Sequence, residues 1–173
     1  MWKHVAVLLA TSIAFGFSLV MMQRAIGLDS PWMVLLLFLC FLGLAGIAQP
    51  VYILKVPAGL RTLRPWEREG AIYRKFGVPA FGALLRNTPL RFLNSSVYVS
   101  TARRDLGRVV RQLESAEAIH FWGAVLLVPY LVFSVWHGKW AVLAAFGLVQ
   151  VIGNAYPIMH LRMVRGRLER MLR

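Results

Sequence analysis

Glu117 and His120 stand three residues apart in Glu117-Ala118-Ile119-His120, just ahead of a long apolar run. On a helix they fall one turn apart on one side. An imidazole can take a proton from a hydroxyl if its pKa lies near the working pH and its ring is held in one tautomer. Glu117, or a carboxylate from elsewhere such as Glu67 or Glu69, is a candidate to hold it. Ionisable groups at membrane depth cost roughly 2.5–3.5 kcal/mol on insertion scales and are functional candidates by default. The competing reading is that both groups pair with nearby arginines. The spacing is also found in di-iron carboxylate sites, but those need more carboxylates than this chain places near its apolar runs, so no metal is expected.

A second polar group, Asn154-Ala155-Tyr156-Pro157, lies late in the last apolar run. Pro157 has no N–H to give the Gly153 carbonyl, so a helix must distort there. Freed backbone is tolerated in a membrane segment where it faces protein or a cavity. In an acyl transfer, Asn154 or Tyr156 would be a candidate to donate to the developing oxyanion. Gln150 and Asn154, four apart, would otherwise simply join helices. His160 is expected to be dispensable. Arg64, Arg162 and Arg165 are candidates for phosphate groups of an activated donor, since guanidinium suits bidentate phosphate contacts. Much of the arginine content would be explained by membrane charge bias alone.

These residues must be positioned by membrane helices. The chain is 58% hydrophobic over 173 residues, against ~45–50% for a soluble domain, and its mean hydropathy is +0.61. The excess sits in four runs, expected to span the bilayer at about 4–22, 32–54, 117–136 and 140–160. Run 4–22 exceeds the ~7–15-residue core of a cleavable signal, so it is expected to be retained. Pro50 is expected to kink or end the second span. The lone cysteine, Cys40, lies in an apolar run and offers neither a disulfide nor a thiolate metal site.

Residues 55–116 hold 12 Lys or Arg against 4 Asp or Glu. They also hold too many large apolar side chains for a disordered linker. Pro65-Trp66-Glu67-Arg68-Glu69 has the signs of a helix start, with proline in the first turn and carboxylates at the positive end. A second amphipathic piece is expected over 81–92, cut by Pro89, and Val97-Tyr98-Val99 is expected to be extended. Asn94-Ser95-Ser96 matches the glycosylation pattern but is read as a loop. A long helix is expected from Thr101, with Leu106, Val110, Leu113, Glu117, His120 and Ala124 on one face. Residues 161–173 form a basic tail with Leu161, Val164, Leu168 and Leu172 on the opposite stripe.

The net charge is +13. The 55–116 region and the tail carry most of it, so the positive-inside rule predicts both termini in the cytoplasm. Anionic lipid headgroups are the expected partners of this charge. Nucleic acid is not expected, because the motifs of its binding modules are absent. The sequence also lacks GxSxG, a P-loop and HxxxxD; the position five after His120 is Val125. The fold expected is an all-α membrane protein, a single integral domain over 1–173, with a basic amphipathic cytoplasmic cap between helices 2 and 3.

Three pieces in order resemble the glycosyl-4,4'-diaponeurosporenoate acyltransferase family of small bacterial membrane proteins. Arg64-Pro65-Trp66-Glu67-Arg68-Glu69-Gly70-Ala71-Ile72-Tyr73 is similar to its Trp-Glu-x-x-Gly-x-x-Tyr. Glu117-Ala118-Ile119-His120 is similar to its Glu-x-x-His. Asn154-Ala155-Tyr156-Pro157-Ile158, followed by Arg162, Arg165 and Arg167, is similar to its Asn-x-Tyr-Pro-Ile and basic tail. The chain departs from the family pattern at Leu161, Met163 and Val164, and over 79–94.

The resemblance implies acyl transfer in the bacterial inner membrane, with a carotenoid glycoside or another lipid-soluble alcohol as acceptor. The donor would be an acyl thioester such as an acyl-coenzyme A, acting as co-substrate with no bound cofactor. His120 would be the base, Glu117 or Glu67 its orienting group, and Trp66 and Tyr73 substrate contacts. A different class of reading is a non-enzymatic membrane scaffold or lipid-binding accessory protein. That reading accounts for the spans and the basic surfaces. It does not explain why polar groups gather at two span ends.

Overall fold

The computed structural model describes residues 2–52, 54–88 and 106–171. The expectations for Pro89, the Asn94 loop, the Val97 stretch and a helix start at Thr101 lie outside these. The described residues are helical, with no strand among them: α1 (Trp2–Ile26), α2 (Pro31–Tyr52), α3 (Ala58–Arg61), α4 (Pro65–Glu69), α5 (Ala71–Lys75), α6 (Val78–Asn87), α7 (Leu106–Leu126), α8 (Val128–Trp136), α9 (Trp140–Val149) and α10 (Tyr156–Met171). A π-helical turn, Gln150–Ala155, joins α9 to α10.

Four segments are long and apolar enough to cross a membrane: Val5–Ile26, Pro31–Gln49, Leu106–Trp136 and Trp140–Met171. The protein is thus an all-α membrane protein, as its hydropathy implies. The last two run to 31 and 32 residues. At 1.5 Å per residue each is about 45 Å long, well beyond a ~30 Å hydrocarbon core. Their polar overhangs carry Glu117, Arg162 and Arg165. α2 continues two residues past Pro50 before it ends.

The chain divides into two compact units. The first comprises Met1–Leu54 and Ile119–Ala155. Its core is Met33, Val34 and Leu37 of α2 packed with Leu127, Val142 and Phe146. Gly153 lets the chain approach α2 closely, because a Cβ there would lie 2.6 Å from the Phe38 ring. The apolar residues of α1 remain largely exposed, including Leu9, Ile13 and Phe17, as expected of a helix that lipid covers. At the end where α1 meets α2, Lys139 pairs with Asp29 at 2.6 Å, and the Tyr130 hydroxyl donates to the Leu28 carbonyl at 2.6 Å.

The second unit comprises Lys55–Ala118 and Tyr156–Arg173. α10 is its axis. Leu161 and Leu168 pack with Leu113 of α7, and Met163 packs with Tyr73 and Val78. Pro65 starts α4 within its first turn, where a missing N–H costs nothing. Gly70 closes α4 with φ +71, a left-handed value that favours glycine, and α5 begins at the next residue. This sharp turn places Tyr73 over Glu67.

Candidate functional site

The second unit holds a closed set of buried charges. Arg162 meets Glu67 as a fork, with Nε donating to Oε1 at 2.7 Å and Nη2 to Oε2 at 2.9 Å. Its Nη1 donates to Glu117 Oε1 at 2.5 Å and to the Leu60 carbonyl at 2.6 Å. Arg165 Nη1 donates to the other Glu117 oxygen at 2.9 Å, and Nη2 donates to the Arg61 carbonyl. Glu117 and Arg165 are almost fully enclosed, at 2% and 1% side-chain exposure. Gly166 permits the approach of α10 to α4, since a Cβ there would stand 3.3 Å from the Arg68 backbone.

The motif around Trp66 supplies the rest. The Arg64 N–H donates to Glu67 Oε2 at 2.8 Å, so the carboxylate also caps its own helix. The Tyr73 hydroxyl donates to Glu67 Oε1 at 2.8 Å. Burial raises the Glu67 carboxyl pKa, but hydrogen bonds from Arg162, Arg64 and Tyr73 outweigh it and hold the group below its ordinary value. Burial and the adjacent carboxylate push the Tyr73 phenol well above its usual range. Tyr73 is therefore a neutral donor. Trp66 and Arg64 are exposed, and neither side chain belongs to the cluster.

This arrangement bears on several expectations. Arg165 is buried and Arg162 half-buried, and most of their donors face carboxylates and carbonyls. Both Glu117 oxygens accept from arginine, the pairing that the competing reading of this residue expects. Tyr156 donates to the Phe76 carbonyl at 2.9 Å and its ring lies 5.4 Å from that of Phe81, which fits a structural tie rather than an oxyanion donor. Arg162, the charged partner of Glu67, lies 95 residues away, a distance at which no spacing rule operates.

The first unit holds a different polar group. The π turn puts Asn154 beside α7 at His120. With its amide nitrogen turned toward them, Asn154 donates to the His120 carbonyl at 3.2 Å and to the Gly153 carbonyl at 3.3 Å. The Gly153 carbonyl is the one that Pro157 cannot serve. The Asn154 and Gln150 amides meet at 2.8 Å, and Gln150 lies 3.2 Å from the Ala124 carbonyl. Asn154 is buried, whereas His120 is half-buried. The imidazole faces the Asn154 side chain and the Gly153 carbonyl, yet its Nδ1 is buried without a partner. Sequence reading singled out Asn154 and His120; it treated Gln150 only as a helix contact.

Among the described residues no group of His, Cys, Asp and Glu has the makings of a metal site. No curated protein and no solved structure matches the chain significantly. A family model does, over residues 57–173, which takes in every site residue described above. The chain belongs to the glycosyl-4,4'-diaponeurosporenoate acyltransferase family.

Proposed function

We propose that this protein transfers an acyl chain from a thioester donor to a hydroxyl of a carotenoid glycoside within the membrane. His120 takes the proton of that hydroxyl as its oxygen attacks the thioester carbonyl carbon. The tetrahedral intermediate collapses with cleavage of the C–S bond, and the proton passes from the imidazole to the departing thiolate. The products are an ester and a free thiol. Asn154, whose side chain faces the ring and donates to the His120 and Gly153 carbonyls, is a positioning residue. The Glu67–Arg162–Glu117–Arg165 cluster fixes α4, α7 and α10 and takes no part in bond making.

The observation that carries this reading is a half-buried histidine beside a π turn, with a ring nitrogen that the fold leaves unpaired, in a chain of an acyltransferase family. π turns are frequent at functional sites, because they aim side chains that a regular helix would not. The excess of basic residues supports a bacterial inner-membrane location with both termini in the cytoplasm, where thioester donors are made. The exposed Trp66, Phe76 and Leu84, among basic neighbours, suit a cap lying against anionic headgroups. The test is ester formation in membranes carrying the protein, supplied with a carotenoid glycoside and labelled acyl-coenzyme A. Labelled carotenoid ester supports the proposal, and its absence with folded protein and both substrates present contradicts it.

A further inference from the structure

His160 lies in α10 of the second unit and is 6% exposed. α6 crosses it at Gly82, where a Cβ would stand 2.5 Å from Cε1 and 2.9 Å from Nδ1. The ring thus occupies the place of a missing side chain, and Phe81 closes one side at a centroid distance of 6.3 Å. Nδ1 is buried with no partner. A proton on that nitrogen would be a donor aimed at glycine carbon, at a cost of ~1–3 kcal/mol. The stable form therefore carries its proton on Nε2, which makes that atom a donor.

Two arginines lie near this ring on the helices that cross at Gly82 and His160. Arg86 follows Gly82 by one turn on α6, and Arg167 follows His160 by two turns on α10; the charges of both act on the ring. Both are exposed. Among the described residues neither has a carboxylate partner. They differ in this from Arg162 and Arg165, which the buried cluster neutralises. Two unneutralised arginines beside a lone N–H donor form the complement of a phosphate group.

We infer that His160, Arg86 and Arg167 form a binding site for a phosphate group, with Gly82 holding the imidazole in its donor tautomer. The phosphate belongs to the thioester donor's carrier or to a lipid headgroup. The inference rests on the proposed acyl transfer only for the identity of the ligand.

The test uses the full chain in zwitterionic nanodiscs. One arm titrates free coenzyme A, and the other adds phosphatidylglycerol to the bilayer and reads its contacts by phosphorus NMR. Saturable binding in either arm is expected to weaken about tenfold or more in Arg86→Gln/Arg167→Gln. His160→Phe, which keeps a ring in the slot and removes the donor, weakens it about tenfold at an unchanged melting temperature. The control is Arg74→Gln/Arg170→Gln, which removes exposed arginines elsewhere. Equal weakening by the control means general charge attraction and overturns the site, as does binding unaffected by any of these changes. Coenzyme A binding that depends on the three residues, without ester formation, keeps the site and rejects the acyl-transfer reading. Ester formation with an unchanged donor KM in Arg86→Gln/Arg167→Gln does the reverse for a carrier site.

Discussion

Two buried polar groups, the charged cluster of the second unit and the His120–Asn154 group of the first, are satisfied to different degrees. In the second unit, Glu67, Glu117, Arg162 and Arg165 engage one another, with Tyr73 and backbone groups beside them, and the Arg165 Nε alone of the cluster lacks a hydrogen-bond partner. In the first, Asn154 is tied to backbone while the imidazole beside it keeps an unpaired nitrogen. A saturated buried network gives rigidity and a fixed register, because every member loses solvation without its partners. An unsaturated one is a standing cost that a fold retains where a substrate completes it. Glu117 and His120, three residues apart, differ in this way: the carboxylate is held between two arginines, and the imidazole keeps an unpaired nitrogen.

The largest effect is expected at Glu117. Removing it leaves the enclosed Arg165 with only the longer contacts to the more exposed Glu114 and Glu169, at 3.4 and 3.6 Å; breaking a buried pair in this way typically costs about 3–5 kcal/mol. Glu117→Ala should lower the melting temperature strongly and remove activity with it. Glu117→Met combined with Arg165→Met should recover much of the stability, since an apolar pair of similar volume often matches a buried ion pair. A lone Glu117→Ala with wild-type melting would mean that the cluster does not hold the unit together.

Glu67 gives a smaller effect with a pH signature. Its carboxyl is held below the ordinary value in the folded state. The unfolded state therefore binds the proton more readily, and stability falls as pH drops. The contribution is fully present above the unfolded value of about 4.3 and is lost as pH descends through the folded value. Glu67→Gln should flatten stability against pH in that acid window and cost about 1–3 kcal/mol at neutral pH. Urea titrations at several pH values would show it; an unchanged acid slope would contradict the assignment. Smallest is Tyr73→Phe, which removes a single donor to Glu67 and should cost about 0.5–1.5 kcal/mol. Loss of activity without loss of stability in Tyr73→Phe would instead place that phenol against substrate.

Much of this was legible in the sequence. Run lengths and hydropathy gave the four spans, because membrane insertion reads composition over about twenty residues. Pro157 announced the distortion at Gly153, since the missing N–H is a local fact. The partner of Glu67 was not legible. Trp66-Glu67 and Gly70-Tyr73 could be recognised as a motif, but Arg162 stands 95 residues away and ion pairing has no period. The same holds for Arg165, whose place in the basic tail resembles that of exposed Arg167. His160 was expected to be dispensable because its meaning depends on Gly82, and a glycine says nothing in sequence about what packs on it. Gln150 was seen as a helix contact; the π turn that brings it into line with Asn154 depends on packing against α7 and α2.

In the proposed function His120 does chemistry while the charged cluster three residues away does not. The most direct test is the rate of carotenoid ester formation by His120→Ala in membranes, read together with its melting temperature and with Asn154→Ala. Loss of a general base typically costs 10²–10⁴-fold. The account predicts a fall of about that size in His120→Ala with melting close to wild type, and a partial fall in Asn154→Ala. Wild-type turnover by His120→Ala, or a rate loss matched by equal unfolding, would contradict it.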